Sequence, residues 1–272
     1  TGTVVKASRP VAVFGGHDCV YVPVNKGACD HVEEQMFPFA TWGHRYVGAH
    51  SATVPGSSIN APDYWRILAG ADGTNVAITP ATALTPPSGF GGPKCYPNQT
   101  NCCAAGVCRL NANEYVEFAS TADFEAQSQS KDFPLLLAQY FVGEELTFPN
   151  APSGQGAGDP SMVLAAPVPQ YRSSYVFLII DTYKHNYINV VAPTGASVTI
   201  DGQTWAAKGC PAMSPVGSSG FAVGRCAIAP GVHNLRATVP VGLTIYGVDS
   251  YVSYGYTGGL DLKGITVVRP KG

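Results

Sequence analysis

Residues 187–202 read YINVVAPTGASVTIDG, and residues 65–79 read WRILAGADGTNVAIT. Laid over one another without a gap, they place Gly73 on Gly195, Val76 on Val198, Ile78 on Ile200, Leu68 on Val190 and Trp65 on Tyr187. Apolar residues two apart mark strands with one buried face, and ADGT and PTGA between the apolar runs supply hairpin turn chemistry. Working outward, PFATWGHRYV (38–47) lies over PVPQYRSSYV (167–176), with Trp42 on Tyr171, Tyr46 on Tyr175 and Val47 on Val176. A proline followed by alternating apolar residues recurs at Pro10, Pro134 and Pro240. Three matched features in the same order predict an internal duplication. The expectation is therefore an all-β chain of two tandem β-sandwich units, Ig-like or jelly-roll-like, at 30–149 and 159–272. A Gly-rich linker, SGQGAG (153–158), joins them, and a partial unit at 1–29 precedes them. Helical periodicity is almost absent; EFASTADFEAQSQ (117–129) reads as strand and turn by its place in the repeat.

Composition agrees. The 272 residues are 12% charged, about half the share of an average protein, and carry 31 Gly and 22 Pro that punctuate apolar runs. That suits a turn-rich β protein. The net charge is −2 and Lys and Arg are scattered singly, so no basic stripe exists to neutralise phosphates, and nucleic acid is not an expected partner. The longest apolar runs, 133–142 and 175–180, are too short for a membrane span. No stretch resembles a signal peptide and the first residue is Thr1, which reads as a mature chain or a piece of a longer one. The leading segment, 1–29, matches the end of a unit whose beginning is missing. It is either the remnant of a longer array or a strand that completes another unit, in the chain or in a neighbouring molecule.

Eight cysteines in three local groups point to an oxidising compartment. Cys19 with Cys29 and Cys210 with Cys226 are the natural pairs. A bridge between adjacent Cys102 and Cys103 would be strained, so Cys95 pairs with one of these two and Cys108 with the other. The loop 85–108 that holds them is expected to form a rigid projection with no counterpart of its length in the second unit, and Asn98-Gln99-Thr100 within it is a glycosylation sequon.

No catalytic signature is present. GSSG (217–220) lacks the Gly-x-Ser-x-Gly pattern of a nucleophile elbow, and GQGAGD (154–159) opens no helix that would cradle phosphate. In GDPS (158–161), Ser161 stands where the self-cleaving Gly-Asp-Pro-His motif of some extracellular proteins needs His, and Pro160 reads as the start of a strand. The densest polar constellation joins His17, Asp18 and Cys19 to Cys29, Asp30 and His31. A Cys2His2 zinc site has these ligand types, but a Cys19–Cys29 disulfide removes both thiolates and is preferred, so no metal and no other cofactor is expected. Tyr251, Tyr254 and Tyr256 form a second candidate, able to stack on sugars or anchor a protein, although tyrosine is equally a strand-packing residue.

The blocks RPVAVFGGHDCVYVP, ACDHVEEQMFPFATWG, YWRILAGADGT, DPSMVLAAPVPQYRSSYVFL, NYINVVAPTGASVTIDG and IYGVDSYVSYGYTGGLDL resemble the N-terminal region of the IgG Fc-binding protein family, also found in large bacterial secreted and surface proteins. They extend over nearly the whole chain; the cysteine-rich loop is the departure. The resemblance implies an extracellular, non-enzymatic interaction module, secreted or at the cell surface, with a protein or glycan as partner and no catalytic residues to carry over. The other expectation is architectural: copies joining end to end through residues 1–29 into a fibre or sheath, since a heterologous contact that does not close builds filaments. A metal-dependent hydrolase at His17, Asp18, Asp30 and His31 is the remaining one.

Overall fold

The computed structural model describes residues 1–24, 26–57, 59–152 and 155–266; Ser153 and Gly154 of the expected linker, and 267–272 of the expected second unit, lie outside them. The chain is all-β. A leading hairpin pairs β1 (Phe14–Val20) with β2 (Asp30–Gln35). Ten strands follow: β3 (Arg45–Gly48), β4 (Asp63–Ala69), β5 (Thr74–Thr79), β6 (Lys94–Tyr96), β7 (Cys103–Ala104), β8 (Val107–Leu110), β9 (Tyr115–Ser120), β10 (Phe124–Gln127), β11 (Leu135–Phe141) and β12 (Ser161–Leu164). They form two five-stranded sheets, in the orders β3-β10-β5-β8-β7 and β12-β11-β4-β9-β6. Alternation along each strand turns one set of side chains inward: Tyr46, Val76, Ile78 and Phe124 from the first sheet meet Trp65, Ile67, Phe118 and Leu137 from the second in one buried core.

The remaining strands are β13 (Arg172–Ile179), β14 (His185–Pro193), β15 (Val198–Ile200), β16 (Gln203–Thr204), β17 (Ser214–Pro215), β18 (Phe221–Ala227), β19 (Gly231–Asp249) and β20 (Val252–Thr257). They surround a second core that includes Tyr175, Phe177, Val190, Ile200, Leu235 and Ile245. The 19-residue β19 is shared: its first part pairs with β13 and β15, its last part with β14 and β20. Pro240 lies where the pairing steps from Ser174↔Arg236 to Arg172↔Val241, an irregularity that tolerates its missing N–H.

Strand pairing recurs around the two cores. β4 lies between β9 and β11, as β14 lies between β18 and the end of β19; β10 lies between β3 and β5, as the start of β19 lies between β13 and β15. Each core also holds one tyrosine in the same bonding. The Tyr46 hydroxyl donates to Leu135 O at 2.5 Å and accepts from Gly43 N at 3.2 Å; the Tyr175 hydroxyl donates to Val241 O at 2.5 Å and accepts from Arg172 N at 3.0 Å. Tyr46→Phe and Tyr175→Phe should each cost about 1–2 kcal/mol, because a buried carbonyl loses its donor. Urea unfolding of the two variants checks this, and a difference between them larger than the cost itself would show that the bonds are not equivalent.

The turns agree with the overlay, but the strand before them is displaced by one. Gly73 (φ +68°) and Gly195 (φ +86°) are left-handed with open space around them, so backbone angle, not crowding, requires glycine. Leu135 pairs with Ala69, whereas the register of β14 and β19 brings Val241 opposite Ala192. Ala69 to Gly73 is one residue longer than Ala192 to Gly195. Tyr64, not Trp65, therefore stands in the place of Tyr187, and a one-residue slip exchanges faces: Trp65 is in the first core, while Tyr187 packs outside the second. Of the three proline elements, those at Pro134 and Pro240 occupy matching places. In the one at Pro10, strand begins only at Phe14, and Val11 before it is 61% exposed. β1 pairs across the expected boundary at residue 29 and, among the described residues, pairs only with β2. Residues 117–129 are strand and turn, as read.

Candidate functional site

The first polar constellation lies on the leading hairpin. Cys19 and Cys29 are bonded, leaving no thiolate for a metal. His17 Nδ1 accepts from Cys19 N at 3.0 Å and stands 3.3 Å from Asp18; His31 lies 3.5 Å from Glu33, and Asp30 Oδ1 accepts from His31 N at 2.7 Å. His17, Asp18 and His31 point to solvent, and among the described residues no three His, Cys, Asp or Glu side chains converge as a metal site.

In the second candidate the Tyr254 and Tyr256 rings stack with centroids 6.3 Å apart, while their hydroxyls bond to different partners. The Tyr256 hydroxyl donates to Leu178 O at 2.5 Å and accepts from Leu178 N at 3.2 Å, and the Tyr254 hydroxyl donates to Asn186 Oδ1 at 2.8 Å. Tyr254 packs edge-on to Tyr183 at 4.7 Å, and burial pushes its phenol up to about 12. Tyr251 sits apart on the β19–β20 turn with a φ of 53°.

In the loop 85–108, Cys95 pairs with Cys102 and Cys103 with Cys108, while Cys210 pairs with Cys226. The loop is not a free projection. Its strand β6 extends one sheet and its hairpin β7–β8 the other, so buried Cys95 and Cys108 tie both sheets to the first core. Asn98 is exposed at its tip.

Cross-strand register assembles a third set of residues that no contiguous run discloses. Trp65 and Ile67 point inward, so Tyr64, Arg66 and Leu68 share the outer face of β4. Register brings Tyr115 opposite Leu68, Glu117 opposite Arg66 and Tyr140 opposite Tyr64. The Arg66 guanidinium lies 4.7 Å from the Tyr115 ring and 5.0 Å from the Tyr140 ring, a cation–π sandwich. Its Nη2 donates to Glu117 at 2.6 Å. Tyr96 stacks on Tyr115 at 4.7 Å with 7° between planes, and Phe90 of the cysteine-rich loop meets Tyr64 at 6.0 Å. Burial, then the Glu117 charge, push Tyr64 up to about 12. A half-exposed surface of stacked rings around one paired cation suits planar apolar groups, sugar faces or side chains of a partner. The signal available in YWRIL was the alternation itself.

Residues 49–52 form a polar clasp where the two cores meet. Asn189 Nδ2 donates to Ala49 O at 3.1 Å and His50 O at 3.0 Å; its Oδ1 accepts from the Tyr246 hydroxyl at 2.9 Å, which accepts from Ala52 N at 2.8 Å. Gln139 Nε2 donates to Ala49 O at 3.2 Å and Asp63 Oδ2 at 2.6 Å. Arg225 donates to His50 O at 2.7 Å and pairs with Asp123. Beside the clasp, Val47 and Ala49 pack against Tyr171, Val191, Phe221 and Val223. A cavity of about 40 Å³, lined in part by His50, Tyr187 and Tyr246, is left at the junction. That is room for a water rather than a metabolite.

Where the leading hairpin meets the body, burial, then the Asp30 and Glu144 charges, push Asp159 up to about 7, and burial pushes Glu34 to about 7. An unfolded carboxyl titrates near pH 4, so both groups bind their protons more tightly in the fold. Their neutral forms favour the fold at low pH, and that advantage is lost as pH rises from about 4 through 7. The melting temperature should therefore fall between about pH 5 and pH 8, and Asp159→Asn should reduce the fall. Calorimetry across that range checks it; an unchanged slope in the variant would remove Asp159 as its source.

A family model described as IgGFc binding protein matches residues 1–247. The IgGFc-binding protein of Homo sapiens is 28% identical over 257 residues, covering 93% of this chain but only 4% of that protein. A solved anti-sigma factor domain-containing protein from Clostridium clariflavum aligns with 91% of this chain and 97% of its own at 13% identity, but its TM-score of 0.21 carries no argument about fold. With nine-tenths of its length inside the family model, the chain belongs to the IgGFc binding protein family.

Proposed function

We propose that this chain is a non-enzymatic extracellular binding module, secreted or at the cell surface, built from two homologous sandwiches at 30–149 and 159–272 and recognising a protein partner. Recurrent pairing about β4 and β14, with equivalent tyrosine bonds at Tyr46 and Tyr175, supports the duplication. Four disulfides suit an oxidising compartment. The observation that carries the binding reading is the outer face of β4, β9 and β11, where Arg66 lies between two tyrosine rings. The chain covers a small part of its human relative, so the activity in that relative's name passes to this chain only as a probe.

Immobilised chain should capture immunoglobulin Fc or a heavily glycosylated mucin, and Tyr96→Ala, which removes the outermost ring, should weaken capture at least about 10-fold, as loss of an aromatic anchor does. Equal capture by the variant would move the site elsewhere. Capture of the mucin that disappears after deglycosylation would make the partner a glycan; failure of both probes would count against the reading.

A further inference from the structure

The junction inside the chain has an open counterpart on its far side. β3 and β13 occupy matching places, with Tyr46 paired to Ala126 and Tyr175 to Leu235, so outward-facing Val47 and Ala49 correspond to Val176 and Leu178. One step along the neighbouring strand, Asp123 corresponds to Val232. Around the first core all three are occupied: Val47 and Ala49 are 4% and 6% exposed beneath side chains of the second half, and Asp123 holds Arg225. Around the second core they are bare: Val176 is 70% exposed, Leu178 54% and Val232 66%. Leu178 lies opposite Val232, so the three form one apolar patch, and Asp123, the member bonded to arginine, has become valine. Adjacent large apolar side chains left open together mark a contact surface.

The surface that covers Val47 and Ala49 also has a counterpart. Val191 and Val223 face each other there, as Leu68 and Tyr115 do on the outer face of β4 and β9. We propose that the Val176–Leu178–Val232 patch receives a second copy of this chain, which docks through its Leu68–Tyr115 face and repeats between molecules the contact made between the two halves. The inference rests on the duplication proposed above. Donor and acceptor patches differ, so the contact is heterologous and propagates head to tail. Leading residues cover the donor face and must move aside for docking: Leu68 is only 9% exposed, in a cluster that includes Met36, Phe37 and Trp42, and Arg66 Nη1 donates to Thr1 Oγ1 at 2.8 Å. The association is accordingly weak until those contacts yield. The joint lies between sandwich faces, so no donation of the leading strand is required.

The test uses the full chain with a photo-crosslinking phenylalanine analogue at position 176. Sedimentation should show weight-average mass rising at least 2-fold above the 28.4 kDa of one chain as concentration approaches about 1 mM, where millimolar contacts register. Irradiation should join position 176 to peptides that carry residues 64–68 or 115–117 of another copy. Val176→Glu with Leu178→Glu, both at exposed positions, should leave the circular dichroism unchanged and hold the mass at one chain. A constant mass for the wild-type chain, or cross-links from position 176 to any other region, overturns the proposal. Both readings use the face that carries Arg66 and Tyr115, so capture of immunoglobulin and mucin is measured on the Val176→Glu, Leu178→Glu chain as well, whose altered patch lies elsewhere. For the wild-type chain, self-association absent with capture retained overturns this proposal alone, and capture absent with self-association retained overturns the other.

Discussion

Trp65→Ala should cost about 3–5 kcal/mol, the upper range for a single buried side chain. Trp65 is completely buried on β4, the central strand of its sheet, edge-on to Phe124 of the opposite sheet at 5.0 Å. Alanine would leave a cavity walled by both sheets, and strands on either side of β4 hinder its collapse. Trp65→Phe should recover more than half of the loss. The indole Nε1–H has no hydrogen-bond partner, so phenylalanine forfeits packing but no bond. Guanidinium unfolding followed by near-ultraviolet circular dichroism reads both variants. A loss below about 1 kcal/mol for the alanine would mean that the sheets close over the gap.

The second large effect belongs to the clasp. Asn189→Leu keeps the branched shape and heavy-atom count but removes two donated bonds and one accepted bond at a site 1% exposed. It leaves the Tyr246 hydroxyl without its acceptor, and Ala49 O depends on Gln139 alone for its side-chain bond. About 2–4 kcal/mol should be lost, since unmade buried bonds cost the desolvation of each orphaned group. Tyr246→Phe in the Asn189→Leu background should cost less than in the wild type, because the hydroxyl has already lost its acceptor. Additive losses in that double-mutant cycle would show that Asn189 and Tyr246 act independently. Separate melting of the two cores in the single variant would show that the clasp, not either core, makes the chain unfold as one.

Much of this fold is written in short-range chemistry. The period-two spacing of Val76 and Ile78, and of Val198 and Ile200, identifies strands whose inward faces reach the two cores. Tyr46 and Tyr175 were matched from sequence and make matching bonds. The one-residue error at Trp65 came from a turn, since the side-chain period does not disclose how many residues a turn holds. Residues after Pro10 have strand-like alternation, but only a two-stranded hairpin from Phe14 takes it up and Val11 and Phe14 stay exposed. The Cys19–Cys29 and Cys210–Cys226 pairs follow from proximity along the chain; the choice between Cys102 and Cys103 depends on which sheet each neighbouring strand joins. The aromatic face was illegible for a related reason. Tyr64, Tyr96, Tyr115 and Tyr140 lie far apart in sequence and meet only through register, whereas Tyr251, Tyr254 and Tyr256 are neighbours in sequence whose hydroxyls are drawn to separate structural tasks or, for Tyr251, whose position is set by a turn. Residues far apart in a sequence can be neighbours on a sheet.

The long strand β19 has a consequence for how the molecule opens. Around the first core the corresponding path is broken between β10 and β11 by residues 128–134, so each sheet keeps a strand of its own. Around the second core one unbroken run from Gly231 to Asp249 serves both sets of partners. Amide protons bonded to its two ends therefore share one opening event and should exchange with solvent at a common free energy, whereas amides of the first two sheets have leave to exchange in separate groups. The half with the shared strand should therefore open as a single foldon.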